Sequence, residues 1–471
     1  MTTEAINDTI CAISTPPGIG GIAVARISGP RAIDIADSIW QGRPLAKVGS
    51  HTAHLGIVTD AQGRELDQAV ATVFRTPHSF TGENVVEISV HGSRYVQREL
   101  IHTLIQGGAR MAEPGEFTRR AFAAGRMDLV EAEAVADVIA SDSRAAHRIA
   151  ITQMRGGVSQ RLTELRARLV DLAALLELEL DFSEEDVEFA DRTRLIDIAG
   201  QVHREVLRLH NSFRSGQAIK EGIPVAIVGA TNAGKSSLLN VLLDDDRAIV
   251  SDIHGTTRDT IEETLEIGDY RFRFIDTAGL RDTSDQIEQI GIQRSRQAIA
   301  HARIVICVVD STIPLPDNIL DEAAAPAIEN DGYLIVLLNK NDLPANNAAT
   351  DAVRNFTRRA DITPGHIAVL PVSAACAQGI DRLRDILLGM ADCENASASD
   401  DILITNARHA AALQAAAQSS QQAIEALQAS VPGDLVAQDI RETIHHLSSI
   451  TGDIPSAEIL STIFSRFCVG K

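Results

Sequence analysis

A glycine-rich segment near the middle of the chain contains the residues whose types and spacing point most directly to chemistry. Residues 229–237 read Gly-Ala-Thr-Asn-Ala-Gly-Lys-Ser-Ser, which fits the phosphate-loop pattern G-x-x-x-x-G-K-[ST]. The apolar run before it, residues 225–228, predicts a buried strand, and the residues from Leu238 onward predict a helix. In that setting backbone N–H groups enclose phosphate, Lys235 reaches the β- and γ-phosphates, and the Ser236 hydroxyl binds Mg²⁺.

A second apolar run, residues 270–275, predicts a strand that ends in the sequence Asp-Thr-Ala-Gly at residues 276–279. An acidic residue at a strand tip supports the Mg²⁺ shell, which is the role predicted for Asp276. Gly279 lets a backbone N–H approach the γ-phosphate.

Two further strand candidates, residues 333–338 and 367–370, are followed by residues suited to a guanine base. The first is followed by Asn-Lys-Asn-Asp at residues 339–342. The Asp342 carboxylate can accept hydrogen bonds from the ring N–H and the amino group of guanine, and adenine does not offer that pair of donors. The Ser-Ala pair at residues 373–374 would lie behind the base. In this order after a phosphate loop, the pattern predicts GTP binding.

One position departs from the Ras-like pattern in a way that affects catalysis. Ras-type enzymes place a Gln directly after Asp-x-x-Gly to orient the attacking water, whereas this chain has Leu280, which cannot hydrogen-bond water. Another group must therefore orient the water. Asp282, Asp285 and Glu288 are candidates, although on chemistry alone a solvated loop charge is the commoner role for each.

A second departure is Asn232 inside the phosphate loop. An Asn side-chain oxygen beside the phosphates can ligate a monovalent cation at the position where other GTPases place an arginine finger. Residues 255–259, Gly-Thr-Thr-Arg-Asp, are the candidate first switch.

Composition limits the protein class. With 471 residues the chain should hold about three domains, and no apolar run reaches the ~18 residues of a membrane span. The N-terminal residues lack the pattern of a signal peptide, and the five cysteines show no metal-ligand spacing, so we expect a reduced, cytoplasmic protein. The net charge of −21 argues against a broad nucleic-acid surface but permits RNA binding through a local patch or a basic partner.

The first part of the chain predicts an α+β domain followed by helices. Strands are predicted at residues 22–27, 54–58, 69–74 and 85–90, with a helix at residues 95–106. Helical periodicity then predicts one long helix over residues 144–180 and another over residues 195–213. Ser215 and Gly216 are expected to mark a boundary.

Residues 220–389 alternate strand and helix signals, including a strand at residues 304–309, and predict a doubly wound unit. Residues 393–401 resemble a linker, and helical periodicity returns over residues 404–447. Residues 1–122 are predicted to form an N-terminal domain. Residues 123–218 and 391–471 are predicted to be two parts of one helical bundle domain, and residues 219–390 a Ras-like P-loop GTPase domain inserted between those parts.

These residues together resemble the MnmE (TrmE) family of tRNA modification GTPases. The resemblance rests on Asn232, on the motifs at residues 255–259 and 276–279, and on the terminal Cys-Val-Gly-Lys of residues 468–471. It runs the whole length and includes Thr-Pro-Pro-Gly at residues 15–18, Gly-Glu-Phe-Thr at residues 115–118 and Arg-Ala-Phe at residues 120–122.

The resemblance implies roles in the nucleotide site. It selects Glu288, which precedes Gln-Ile-Gly, as the residue that orients water, and it adds Thr257 to the Mg²⁺ shell of Ser236. It also implies K⁺ held by Asn232, Ser251, Ile253 and Thr256, although the family usually has Thr in place of Ser251. The implied GTP-binding residues are Asn232, Ala233, Gly234, Lys235, Ser236, Ser237, Ser251, Asp252, Ile253, His254, Gly255, Thr256, Thr257, Asp276, Thr277, Ala278, Gly279, Asn339, Lys340, Asp342, Ser373 and Ala374.

The resemblance also implies an N-terminal folate site that binds a 5-formyl- or 5,10-methylene-tetrahydrofolate as one-carbon donor. The matching positions are Arg26, Glu87, Arg126 and Lys471, with Arg126 standing where the family often has Lys. Ile19 replaces a common Arg, so one polar contact is missing. Cys468 is expected near the one-carbon chemistry, either as a catalytic residue or as apolar filler.

The implied function is a K⁺- and Mg²⁺-dependent GTPase that works as a homodimer with an FAD-containing, MnmG-like partner in a heterotetramer. The complex would install an aminomethyl-type (carboxymethylaminomethyl) group at the 5-position of the wobble uridine of certain tRNAs. The alternative is an Era-like GTPase that regulates ribosome assembly. Proteins of that kind lack the folate-type N-terminal domain and the Cys-Val-Gly-Lys tail.

Overall fold

A computed structural model gives the fold of most of the chain. It describes residues 8–181, 192–244, 263–275, 302–315, 318–329, 332–359, 365–396, 402–453, 457–465, 467–468 and 470. Its strands are β1 (Ile10–Ile13), β2 (Gly20–Ser28), β3 (Trp40–Gln41), β4 (Thr52–Thr59), β5 (Glu65–Phe74), β6 (Val85–Gly92), β7 (Arg110–Met111), β8 (Ile223–Gly229), β9 (Glu263–Ile267), β10 (Tyr270–Phe274), β11 (Ile304–Asp310), β12 (Tyr333–Asn339) and β13 (Ile367–Pro371).

Helices make up most of the rest of these described residues. They are α1 (Ala32–Ser38), α2 (Arg94–Gln106), α3 (Glu116–Ala123), α4 (Leu129–Ala140), α5 (Arg144–Met154), α6 (Gly157–Asp181), α7 (Arg192–Asn211), α8 (Phe213–Glu221), α9 (Lys235–Asp244), α10 (Ile319–Glu329), α11 (Asn347–Arg359), α12 (Ile380–Ala396), α13 (Ala407–Gln428), α14 (Gly433–Thr451) and α15 (Ala457–Phe464), with a 3₁₀ turn at Leu45–Lys47. Within this part of the chain, no helix is both long and apolar enough to cross a membrane.

The chain divides into two compact units. The first comprises residues 1–139, 153–203 and 415–471, and the second comprises residues 140–152 and 204–414. The first unit contains a seven-stranded sheet of order β3-β4-β5-β6-β2-β1-β7, and the second contains a six-stranded sheet of order β13-β12-β11-β8-β10-β9.

The seven-stranded sheet is antiparallel except where β1 pairs with β7. Alternate residues of its strands face a core in which Ala25, Ile27 and Ile88 pack with Leu100 and Leu104 of α2. This period-two burial confirms the predicted N-terminal α+β fold. In the same unit α6 packs against α14, so segments distant in sequence meet in one helical bundle.

In the six-stranded sheet the neighbouring strands β13, β12, β11, β8 and β10 are parallel, and the edge strand β9 is antiparallel to β10. Its central strand β11 is buried on both faces, with Ile306 and Val308 in one core and Val305 and Cys307 in the other. Continuous apolar strands of this kind are typical of a sheet covered by helices on both sides. The predicted doubly wound fold is confirmed, and ligands of such sheets bind beyond the carboxyl ends of the strands.

Three predictions of helix limits were wrong. The single helix over residues 144–180 is two helices, because Gly156 has φ +84° and turns the chain between α5 and α6. The helical region predicted from residue 404 begins only at Ala407, since residues 402–406 are not helical, and it forms two helices, α13 and α14. The linker predicted at residues 393–401 is helical as far as Ala396.

Ser215 and Gly216, which were predicted to mark a boundary, both lie inside α8. Gly216 is buried, and a Cβ atom there would collide with the carbonyl oxygen of Ile404. The glycine therefore permits close packing of a helix against another backbone segment and does not form a turn.

Candidate functional site

The phosphate loop connects β8 to α9 and is shaped by two glycines. Gly229 has φ +150° and Gly234 has φ +99°, values that side-chain-bearing residues rarely adopt. A Cβ at Gly229 would collide with the carbonyl oxygen of Val308, and one at Gly234 would collide with Nδ2 of Asn339. The loop is thus held against the neighbouring strands, with its last residues leading into a helix N-terminus.

Lys235 is the first residue of that helix. Its Nζ donates hydrogen bonds to the carbonyl oxygens of Gly229 (2.8 Å) and Ala230 (2.9 Å). Burial lowers the pKa of the Lys235 ammonium group, since the charged form is disfavoured away from water. The predicted phosphate ligand therefore lies directly at the loop, with its donors engaged by the loop backbone.

Asn339 connects the phosphate loop to the segment predicted to lie behind the base. This buried side chain donates from Nδ2 to the carbonyl oxygen of Ala233 (2.7 Å) and accepts at Oδ1 from the backbone N–H of Ala374 (3.0 Å). Ser373 and Ala374 are buried beside it. The structure therefore brings the residues at 233, 339 and 373–374 together at the carboxyl ends of β8, β12 and β13.

Lys340 and Asp342 follow Asn339 at the end of β12. Lys340 has φ +61°, and its Nζ lies 2.5 Å from Oδ2 of Asp310, a residue to which the sequence analysis assigned no role. Asp342 is exposed to solvent, as expected of a residue that would hydrogen-bond a ligand base.

Two predicted cation ligands lie in the described part of the loop. Asn232 is exposed with φ +61°, and Ser236 is exposed in the first turn of α9. An amide oxygen and a hydroxyl oxygen are hard donors that fit K⁺ and Mg²⁺, respectively.

The remaining predictions for this site lie outside the described residues and stay predictions. They concern Ser251, Asp252, Ile253, His254, Gly255, Thr256, Thr257, Asp276, Thr277, Ala278, Gly279, Leu280, Asp282, Asp285 and Glu288.

A second group of predicted residues lies on the N-terminal sheet. Arg26 on β2 and Glu87 on β6 are directly opposite in the strand register, and both Nε and Nη2 of Arg26 lie 2.8 Å from Oε1 of Glu87. The guanidinium carbon of Arg26 also lies 5.4 Å from the ring centre of Phe80 and 5.5 Å from that of Phe117. Two aromatic rings and a carboxylate thus fix this cation.

The donor set of this pair fits a pterin. Within the described residues, Glu87 accepts only at Oε1, which leaves Oε2 open to N–H donors of a ligand. Arg126, the third predicted folate ligand, is exposed at the end of the segment after α3, and its Cγ would lie 3.4 Å from a Cβ at Gly82. An exposed guanidinium suits the glutamate tail of a folate.

The C-terminal tail returns to the N-terminal sheet of the same chain. Ser14 Oγ donates to the carbonyl oxygen of Gly470 (3.0 Å), and Gly115 N–H donates to that of Cys468 (3.4 Å). Cys468 is exposed, and Lys471 lies outside the described residues.

An ionic network centred on the buried side chains of Arg120 and Glu116 was missed by the sequence analysis. Arg120 is held by Asp8 (2.7 Å), Glu83 (3.1 Å) and Glu116 (3.0 Å), and Glu116 also accepts from Arg110. The side chains of Arg120 and Glu116 are each only 1% exposed. The spacing of Glu116 and Arg120, four residues apart on α3, was the one signal that could have predicted part of this network.

Comparison with known protein families separates the MnmE-like and Era-like alternatives. The model of the MnmE helical domain matches residues 129–468, which is most of the chain, and the model described as GTP-binding protein TrmE N-terminus matches residues 9–126. The chain belongs to the MnmE family.

Several MnmE proteins match over nearly their full length. The tRNA modification GTPase MnmE of Parabacteroides distasonis is 47% identical over 98% of this chain and 100% of its own. The protein of the same name from Cytophaga hutchinsonii is 46% identical over 98% of each chain, and that of Bacteroides fragilis is 45% identical over 98% of this chain and 99% of its own.

Proposed function

We propose that this GTPase uses K⁺ and Mg²⁺ and, with an FAD-containing partner resembling MnmG, modifies the wobble uridine of certain tRNAs. The modification adds an aminomethyl-type group at the 5-position of the base. Membership of a family of tRNA modification GTPases supports the general activity. The metals, the partner and the chemistry of the added group are our proposal.

One observation carries the proposal of a one-carbon site. Gly470 lies against Ile13 and Ser14, and the preceding residue of β1, Ala12, pairs with Arg26. This supports a single site in which Arg26, Glu87 and Lys471 bind a tetrahydrofolate derivative. A bound formyl- or methylene-tetrahydrofolate would supply the one-carbon unit, while Glu87 orients the pterin and the cations bind the glutamate tail.

At the phosphate loop, Lys235 would exchange its carbonyl partners for the β- and γ-phosphates of GTP. Asn232 would hold K⁺, and Ser236 would hold Mg²⁺ together with Thr257. Glu288 would orient the attacking water. Hydrolysis would drive the opening and closing of paired GTPase domains.

The proposed homodimer is supported by apolar side chains on the open face of the N-terminal sheet. Leu55 and Val70 are direct cross-strand neighbours on β4 and β5 and are 67% and 37% exposed. A second copy of the chain would bury such a patch. Two copies with two copies of the MnmG-like partner would form the heterotetramer that acts on tRNA.

The decisive experiment measures wobble-uridine modification by mass spectrometry in cells that lack this chain and are complemented with variants. Wild-type protein should restore the modification, whereas Arg26→Ala should not. Arg98→Ala is the matched control, because Arg98 is an exposed arginine of α2 in the same unit. Full modification in the cells that lack the chain would refute the proposed function.

A further experiment tests the role of Glu288. Glu288→Ala should slow GTP cleavage by ~10²-fold or more, the usual range for loss of a positioned acid or base, with little change in GTP affinity. Asp282→Ala and Asp285→Ala are the matched controls and should retain activity. A large loss in either control, with Glu288→Ala active, would assign the water-orienting role to the other residue.

A further inference from the structure

The end of β12 carries an ammonium group that is paired with one carboxylate and lies close in sequence to another. Lys340 precedes Asp342 by two residues, and its side chain is long and flexible. In the structure Lys340 is paired with Asp310 instead, with Nζ and Oδ2 2.5 Å apart. Which carboxylate holds the ammonium decides how many oxygens of Asp342 remain open.

The position and hydrogen bonds of Asp310 suit it to bind the Lys340 ammonium group. It ends β11 directly opposite Asn339 in the strand register. Its Oδ1 accepts from the backbone N–H (2.9 Å) and the hydroxyl (2.6 Å) of Thr312, while Oδ2 faces Lys340. Burial acts to raise the pKa of Asp310, yet the donors prevail and hold that pKa below its ordinary value. The side chain is 10% exposed, so the carboxylate is an oriented, ionised acceptor.

Asp342 differs from Asp310 in its exposure to solvent and in its ion pairing. Its side chain is exposed, and it forms no ion pair with any residue that the structure describes. A free carboxylate can accept two neighbouring donors at once, whereas a carboxylate paired with an ammonium has one oxygen engaged.

We propose that Asp310 is a positioning residue for base specificity, which holds Lys340 away from Asp342 so that both Asp342 oxygens accept from guanine. The inference rests on the proposed guanine-nucleotide site. Asp310 does not contact the base. It acts by removing the cation that would otherwise compete for the carboxylate that reads the ring N–H and the 2-amino group.

The test compares the affinities of GDP and IDP, since the hypoxanthine base of IDP lacks only the 2-amino group. Wild-type protein should prefer GDP by roughly 10- to 100-fold, the range for one hydrogen bond to a charged group. Asp310→Asn, which keeps the shape and removes the charge, should lower this GDP:IDP ratio by about tenfold. In the double variant Asp310→Asn/Lys340→Gln the ratio should return toward the wild-type value, because no ammonium then competes for Asp342.

Asp351→Asn is the matched control, because Asp351 forms an exposed ion pair with Arg354 in the same unit. This variant should leave the GDP:IDP affinity ratio unchanged.

Two results would overturn the inference. One is an Asp310→Asn protein that binds both nucleotides more weakly at an unchanged GDP:IDP ratio, and the other is a lowered ratio that the double variant does not recover. If Asp310→Asn does not fold, Thr312→Val, which removes one donor to Asp310, carries the same test: a ratio lowered by about threefold supports the inference and an unchanged ratio overturns it. Wild-type protein that binds neither nucleotide would instead refute the proposed function.

Discussion

Asn232 combines a polar side chain with a left-handed backbone conformation, φ +61°, at an exposed position of the phosphate loop. Asn tolerates this conformation better than most residues, so the backbone and the amide oxygen are compatible requirements. A substitution that tests the amide must therefore keep the backbone unstrained. Glycine meets that condition, and alanine does not.

We predict that Asn232→Gly abolishes stimulation of GTP hydrolysis by K⁺ while nucleotide affinity stays within about twofold, since glycine keeps the backbone conformation open to the loop. A cation beside the phosphates neutralises charge that develops in the transition state, a task worth ~10³–10⁵ in rate when an arginine performs it. The measurement is turnover in KCl and in NaCl. Equal wild-type turnover in the two salts would refute a potassium site.

Glu116 gives a pH-dependent prediction. Burial acts to raise its pKa, but hydrogen bonds from Arg110, the Glu113 backbone and Arg120 outweigh it and lower the pKa from the ordinary value of 4.5. A lowered carboxyl pKa contributes stability that is present above the unfolded-state pKa and is lost as pH falls through the folded-state pKa. We therefore expect the Tm of the first unit to decrease as the pH is lowered below about 4.5.

Glu116→Gln is the test of this assignment, measured by scanning calorimetry across the acid range. The variant should have a lower Tm at neutral pH, because Arg120 loses a buried counter-charge, an effect of about 3 kcal/mol. Its acid dependence should be weaker than that of the wild type. A variant that keeps the full acid dependence would show that other carboxylates are responsible.

Elements were predictable where the signal is local. The strands at β8, β11 and β12 follow from continuous apolar runs, and the phosphate loop follows from its glycines, because each pattern lies within a few residues. The pairing of Arg26 with Glu87 depends on the register of two strands 61 residues apart, which no local pattern specifies. Asp310 was missed for the same reason.

The roles of two glycines were also not predictable from the local sequence. Gly216 was predicted to mark a boundary, but in the structure it makes a close contact with Ile404, which lies 188 residues further along the chain. Gly156, inside a predicted continuous helix, does turn the chain. A glycine alone does not indicate which of the two applies.

The two helical glycines of the second unit give a paired prediction. Gly216→Ala should lower the Tm of this unit, because the added Cβ collides with a backbone carbonyl and overpacking costs about 1–3 kcal/mol. Gly389→Ala should raise it, because a Cβ on α12 meets nothing within 4 Å and alanine favours the helix by about 0.5–1 kcal/mol. Thermal unfolding of both variants checks the signs. A stabilised Gly216→Ala protein would contradict the packing at Ile404.

At the scale of the whole molecule, a residue late in the sequence contacts residues early in it, since Gly470 lies against Ile13 and Ser14. We predict that deletion of Lys471 weakens folate binding by roughly tenfold to a hundredfold, because a charge-assisted contact is worth ~1.5–3 kcal/mol. GTP hydrolysis should be nearly unchanged, because the phosphate loop belongs to the other unit. Isothermal titration with 5-formyl-tetrahydrofolate measures the first effect.

Lys220→Ala is a control for the loss of one positive charge elsewhere and should bind folate as the wild type does. Unchanged folate affinity after deletion of Lys471 would mean that the tail serves another purpose. The main argument for a role of Cys468 in the one-carbon chemistry, its position close to Lys471 in the sequence, would then no longer hold.

The buried amide of Asn339 has a consequence for nucleotide binding. This one side chain hydrogen-bonds both the phosphate loop at Ala233 and the segment at Ala374. A substitution at Asn339 would therefore leave buried backbone groups of both segments without their partner, so the phosphate end and the base end of a nucleotide would lose their support together.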